Sequence, residues 1–183
     1  MVTERAELVR LAGEKSAENL EFRRYLKAHP AQETLFSDTA LEVEAQIDCK
    51  QCAACCRETR VNVSAGEIEA IARHLGSEPA QALHEYTELD TVDHQRQLRQ
   101  PDGSCIFLDG TLCMIYDARP RACREFPYLG THECSLGSRM ASIWSHAWFC
   151  PIVYNAIEAH KKRVGFPPHR HGHPVTEKQP PES

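Results

Sequence analysis

The chain has 183 residues, a formal charge of −5 and an isoelectric point near 6.1. That length suits one domain with its own core and is too short for two large ones. The acidic balance leaves no electrostatic case for binding nucleic acid or an acidic membrane surface.

The first residues, Met-Val-Thr-Glu-Arg-Ala-Glu-Leu, put charges where a secretion signal needs an uninterrupted apolar core, and no later run is long enough to span a bilayer. The expectation is a cytoplasmic protein, in a reducing compartment where cysteines persist as thiols or metal ligands. Residues 4–28, with Leu8, Leu11, Leu20, Phe22, Tyr25 and Leu26 partly in helical register, predict one or two helices ending before Pro30. Asp38 or Thr39 is a candidate cap for a short helix carrying Leu41, Val43 and Ile47, although the alternation there also permits a strand.

Cys49-Lys-Gln-Cys52-Ala-Ala-Cys55-Cys56 packs four of the nine cysteines into eight residues. Thiolates this dense repel one another unless a cation or an iron–sulfur core sits among them, so the segment reads as a metal site. Cysteines three apart share one side of a turn or short helix while immediate neighbours diverge. Cys49, Cys52 and Cys55 can therefore converge on one centre. Cys56 either closes that site through a backbone bend or serves a second one.

After a short β-branched stretch, Arg60–Val63, the run Ser64-Ala-Gly-Glu67 matches a capping box. A helix should start there, with Ile68, Ile71, Ala72 and Leu75 on its core face and Gly76 as its stop. Ser77 is the expected cap of the next helix, with Pro79 in its first turn, and residues 90–101 read as a loop or solvated edge strand. Pro101-Asp102-Gly103 marks a tight turn. Cys105 to Tyr116 then reads as a β-hairpin. A two-residue Asp109-Gly110 loop would pair Cys105 with Met114, and a three-residue loop over Leu108, Asp109 and Gly110 would pair Cys105 with Cys113; the second is the expectation.

Asp117 is a candidate cap for a helical turn holding Arg119, Arg121, Cys123 and Arg124, whose arginines would offset thiolate charge at a metal. Residues 128–149, with Cys134, Trp144 and Trp148, read as loop followed by helix or irregular core. Cys150-Pro151 places Cys150 at the N-cap of a helix over 151–163, where amides and the dipole favour thiolate, and Lys161, Lys162 and Arg163 suit its C-terminal end. From Gly165 the composition predicts a disordered tail, in which His169, His171 and His173 could catch a divalent metal. Hydrolase and phosphate-loop motifs are absent.

Four spaced elements carry a resemblance: Cys49-x-x-Cys52-x-x-Cys55-Cys56, Gly103-Ser-Cys105-Ile-Phe-Leu, Cys113-x-Ile-Tyr116 and Arg119-Pro-x-x-Cys123-Arg-x-Phe-Pro127. Over roughly residues 47–151 the chain resembles the YkgJ-type cysteine cluster family, the zinc- or iron-chelating CxxCxxCC domain. Ala54 and Ile152 stand where that family often has glycine. The resemblance implies metal or cluster binding through Cys49, Cys52, Cys55, Cys56, Cys105, Cys113 and Cys123, with Cys150 added from the Cys-Pro match and Cys134 left over. A similar domain occurs in flagellin lysine methylases, which leaves an enzymatic role open.

The expected fold is α+β, a small, mainly helical single domain with a short β-hairpin and irregular cysteine-rich loops. Its parts are an N-terminal helical segment (1–45), the cysteine-cluster domain (46–163) and the tail (164–183). Eight cysteines make one four-ligand site with reserve thiols or two such sites. The expected cofactor is an iron–sulfur cluster, since C-x₂-C-x₂-C with a distant Cys-Pro is a ferredoxin-like donor pattern; the alternative is zinc in a structural interaction module without catalysis. A protein partner stays open, and neither nucleic acid nor membrane is expected.

Overall fold

The computed structural model describes residues 1–30, 32–92, 94–130 and 134–167. Among these, helices dominate and two small antiparallel strand pairs complete an α+β domain. No described helix is long and apolar enough to cross a membrane. The histidines at 169, 171 and 173 lie outside the described residues.

The N-terminal prediction resolves into two helices, α1 (Arg5–Glu14) and α2 (Ser16–Ala28). Helix α3 (Gln32–Glu44) starts earlier than Asp38 or Thr39, and both sit inside it. Thr39 shows why its capping signal misleads: its hydroxyl donates back to the Leu35 carbonyl at 2.7 Å, the alternative that lets threonine live mid-helix. Helices α4 (Cys49–Cys52) and α5 (Ala54–Glu58) hold the cysteine cluster.

Helix α6 (Ala65–Leu75) begins where the capping box requires. Ser64 accepts from the Glu67 amide, Glu67 accepts from the Ser64 amide, and left-handed Gly76 ends the helix. Helix α7 (Pro79–Tyr86) is preceded by Glu78 rather than Ser77, since proline at the first helical position fixes the start by its own geometry. Ser77 Oγ is buried without a partner. Residues 90–101, expected as loop or edge, contribute a paired strand: β1 (Thr87–Leu89) lies antiparallel to β2 (Arg96–Leu98), with Gln97 and Leu98 buried. Arg60–Val63 joins β2 on the other side, Val63 N–H donating to Arg96 O at 2.8 Å and Leu98 N–H to Val61 O at 2.9 Å.

The predicted hairpin forms in a third register. Strands β3 (Leu108–Asp109) and β4 (Leu112–Cys113) pair Leu108 with Cys113 and Asp109 with Leu112, around a Gly110-Thr111 loop. Gly110 has φ of 58°, and a two-residue type II′ loop calls for glycine at that first position. Cys105 therefore lies below the paired residues, in the turn that leads into β3, where Leu108 N–H donates to its carbonyl at 2.9 Å.

A 3-10 turn (Tyr116–Ala118) takes in Asp117, so that residue is no cap; α8 (Arg121–Glu125) follows Pro120. Helices α9 (Leu136–Trp144) and α10 (Pro151–Arg163) close the fold.

Two apolar clusters organise these elements. The first joins α1, α2, α3, α9 and α10 around Phe22, Phe36, Met140, Ile152 and Ile157. Gly137 lets α9 approach α2 closely, since a Cβ there would stand 2.8 Å from the Lys27 backbone nitrogen. Lys161, read from sequence as a dipole-facing terminal base, is buried in this region, 2.5 Å from Glu18 and 2.7 Å from Glu158. The second cluster joins Val63, α6, α7 and β2 to Phe107 and Ile115 on either side of the hairpin. Cys150 belongs to the first cluster and Cys55 packs against it, while Cys105 and Cys113 pack against the second.

Candidate metal centre

The sequence around Cys49 dictates two short helices rather than one. Asp48 caps α4 by accepting from Lys50 N–H at 2.9 Å, and Ala53, left-handed at φ 50°, breaks the chain before α5 begins. The turn that a glycine would ease thus falls at Ala53, one residue before the family's usual glycine position at Ala54. The break leaves Cys49 and Cys52 on one short segment and the adjacent pair Cys55 and Cys56 on the next.

Cys150 arrives from the far end of the chain as the N-cap of α10. It is buried in the first cluster, against which Cys55 also packs. The Ile152 and Val153 amides favour the Cys150 thiolate, as the Cys-Pro sequence predicts, but the side chain makes no capping hydrogen bond, and burial dominates and pushes it up to about 12. Cys49 and Cys52 lie within electrostatic range of it, as does Cys55.

A second gathering forms on the other side. Cys105 N–H donates to the Cys56 carbonyl at 2.8 Å, tying the hairpin's approach directly to α5. Cys105 and Cys113 both pack against the second cluster. Each thiol accepts from an amide two residues on, Phe107 for Cys105 and Ile115 for Cys113. Burial raises Cys105 to about 11 and Cys123 to about 12, and both stand in electrostatic range of Cys56 and Cys113. Cys55 donates a hydrogen bond to Cys56; this raises Cys55 and lowers Cys56, with Arg57 and Arg119 favouring the Cys56 thiolate further.

Of the three arginines flanking Cys123, one faces the sulfurs. Arg119 stacks 3.5 Å over the Tyr116 ring, donates to the Tyr116 carbonyl at 2.8 Å, and lowers Cys49, Cys56, Cys113 and Cys123 alike. Arg121 instead pairs with Glu125 at 3.9 Å while its amide binds Glu67, and Arg124 donates to the Arg119 carbonyl. Sequence reasoning passed over Arg57, which donates to Ala53 O at 3.2 Å and to Gly110 O, bridging α5 to the hairpin loop. Its position directly after Cys56 was the available signal.

Among the described residues no group of three or more Cys, His, Asp or Glu side chains is placed to hold a metal ion. The chemistry of the donor set still fits a thiophilic metal: thiols from four chain segments lie within electrostatic range of one another, and Arg119 lies within range of four of them. Held up by burial, most are neutral thiols that must lose protons to ligate, and loss of those protons is what draws such ligands inward around a cation. Cys134 is exposed and apart, its carbonyl taken by Arg139 at 3.1 Å.

Comparison with known proteins bears on the same stretch. No curated protein and no solved structure matches the chain. A family pattern, CxxCxxCC, described as a "putative zinc- or iron-chelating domain", matches residues 48–151, more than half of the chain. With its cysteines gathered from both ends of that span, the chain belongs to the CxxCxxCC family of metal-chelating domains.

Proposed function

We propose that this is an iron–sulfur protein whose cysteines Cys49, Cys52, Cys55, Cys56, Cys105, Cys113, Cys123 and Cys150 are the metal ligands. One observation carries the choice of cofactor. The C-x₂-C-x₂-C run of α4 and α5 has a Cys-Pro thiol, Cys150, brought to it from about a hundred residues away. Three sulfurs at that spacing plus one remote Cys-Pro sulfur is the donor set of a ferredoxin-type cluster. When bound, such a cluster supplies one-electron transfer at a potential tuned by hydrogen bonds to its sulfurs and by exposure.

The protein's own residues supply the rest. The Ile152 and Val153 amides favour the Cys150 thiolate, Arg119 offsets thiolate charge, and the first apolar cluster excludes water behind Cys55 and Cys150. The role that follows is redox, assembly or modification-linked, in a reducing cytoplasm where exposed thiols survive.

Zinc in a structural site is the second reading, favoured by the hairpin. Cys105 and Cys113 each take an amide two residues on, an outer hydrogen bond of the sort that orients thiolates in closed four-sulfur zinc sites. Anaerobic purification separates the two. Brown protein containing iron and acid-labile sulfide, with visible absorption that bleaches on reduction, supports the cluster. Colourless protein with stoichiometric zinc replaces it with the structural reading.

A further inference from the structure

We propose that the cleft between α2 and α9 is a binding site for a small molecule bearing a primary carboxamide, held by the side chain of Asn19. No cysteine lines this cleft, so the inference stands apart from the metal-binding reading.

Helix α2 buries Asn19, Phe22 and Leu26, three positions that share one helix face. Phe22 and Leu26 fill the first apolar cluster, and an apolar side chain at position 19 would continue the row. Asn19 stands there instead, only 5% exposed, while its neighbour Leu20 is 55% exposed. Among the described residues neither Oδ1 nor Nδ2 of Asn19 has a hydrogen-bond partner. A buried amide left unpaired costs stability, so a polar group kept in that place calls for a partner of matching polarity.

The cleft beside it has room for one. Of the residues lining it, Asn19 and Met140 are buried and make its inner end, Arg23 and Trp144 are half-buried, and Leu20 and Ala141 are exposed at its rim. Its volume is about 110 Å³. Water takes up about 30 Å³ in the liquid and an engineered cavity of about 150 Å³ accepts benzene, so this space suits a polar head with a short apolar body. Met140 and Trp144 supply the apolar wall for that body.

The head group follows from what Asn19 lacks. Its side chain offers an acceptor oxygen and a donor nitrogen next to each other. A primary carboxamide carries the complementary pair, donating its N–H to Oδ1 while its carbonyl accepts from Nδ2, and satisfies both atoms at once. A carboxylate would meet Nδ2 but set its second oxygen against Oδ1. Arg23, whose Nε donates to the Gly137 carbonyl at 3.1 Å, is tied to the cleft wall and would attract either ligand. Being half-buried it is screened by solvent, so it gives a carboxylate less than the buried mismatch at Oδ1 takes away.

The test uses the full-length chain with butyramide as the probe and butyrate, of nearly the same shape, as the control, followed by proton NMR of the Asn19 side-chain amide and the Trp144 indole N–H. Butyramide should shift both signals saturably at millimolar concentration. Butyrate should bind at least about tenfold more weakly, the factor expected when one buried acceptor is left unpaired. Asn19→Leu should abolish the butyramide shift at Trp144 with helical circular dichroism unchanged. Equal affinity for the two probes, shifts that never saturate, or a Trp144 shift that survives in folded Asn19→Leu overturns the proposal and leaves the metal reading standing. Should Asn19→Leu fail to fold, the two probes on the wild-type protein decide alone.

Discussion

The two apolar clusters sit side by side and are held together by different means. Among the described residues the helical one unites nineteen buried side chains, including Phe22 and Phe36, and is crossed by a buried ion-pair network of Lys161, Glu18 and Glu158. The one around the hairpin has eight, with strands of two or three residues. A core of the second size rarely holds a fold without a staple, and small domains of that kind commonly use a metal. The helical region should therefore stand without metal and the hairpin region should depend on it.

The largest effect expected follows from that asymmetry. After chelation, hydrogen exchange should show amides of α6 and β2 losing most of their protection while those of α10 keep theirs. Equal loss in both regions would make the protein one cooperative unit and dissolve the contrast. Phe22→Ala should then cost about 3–5 kcal/mol in urea unfolding whether or not metal is bound. Phe107→Ala, buried in the smaller cluster, should cost a similar amount in the loaded protein alone.

Acid sharpens the contrast from the helical side. His160 is fully buried between Phe22 and Phe36 with neither ring nitrogen bonded, and burial, helped by Arg163, lowers it to about 4. The unfolded chain, at an ordinary histidine value of about 6.5, binds the extra proton first, so stability is complete above that pH and falls as pH drops from 6.5 towards 4. The loss is on the order of 3 kcal/mol. His160→Leu should flatten that stretch of the stability profile; an unchanged slope would assign it to other groups. Gly137→Ala, which drives a methyl against Lys27, should cost about 1–3 kcal/mol in the same region. The smallest effect belongs to the hairpin side: Ser64→Ala removes one half of the capping box and should lower the loaded protein's stability by about 1 kcal/mol.

What the sequence revealed depended on how local each signal was. The capping box at Ser64, the stop at Gly76 and the N-cap at Cys150 are decided by a few neighbouring residues, and all three stand as read. The hairpin register was not, because Asp109-Gly110 and Gly110-Thr111 offer rival turns and only packing of Phe107 and Ile115 on the second cluster chooses between them. Lys161 read as a base suited to the C-terminal dipole of its helix, and its burial against Glu18 was hidden because that partner lies 143 residues away. The family pattern was legible in the spacing of the cysteines, and the match over residues 48–151 agrees with it. Where each thiol lies was not, because that depends on which apolar cluster its segment packs against, the first for Cys55 and Cys150 and the second for Cys105 and Cys113.

X-ray absorption on the metal-loaded, full-length protein tests the central claim most directly. Sulfur donors alone should surround the metal, four per ion at about 2.3 Å for zinc, or an all-sulfur shell with a metal–metal contribution for an iron–sulfur core. A first shell of nitrogen and oxygen would contradict it, because the ligands would then not be these cysteines.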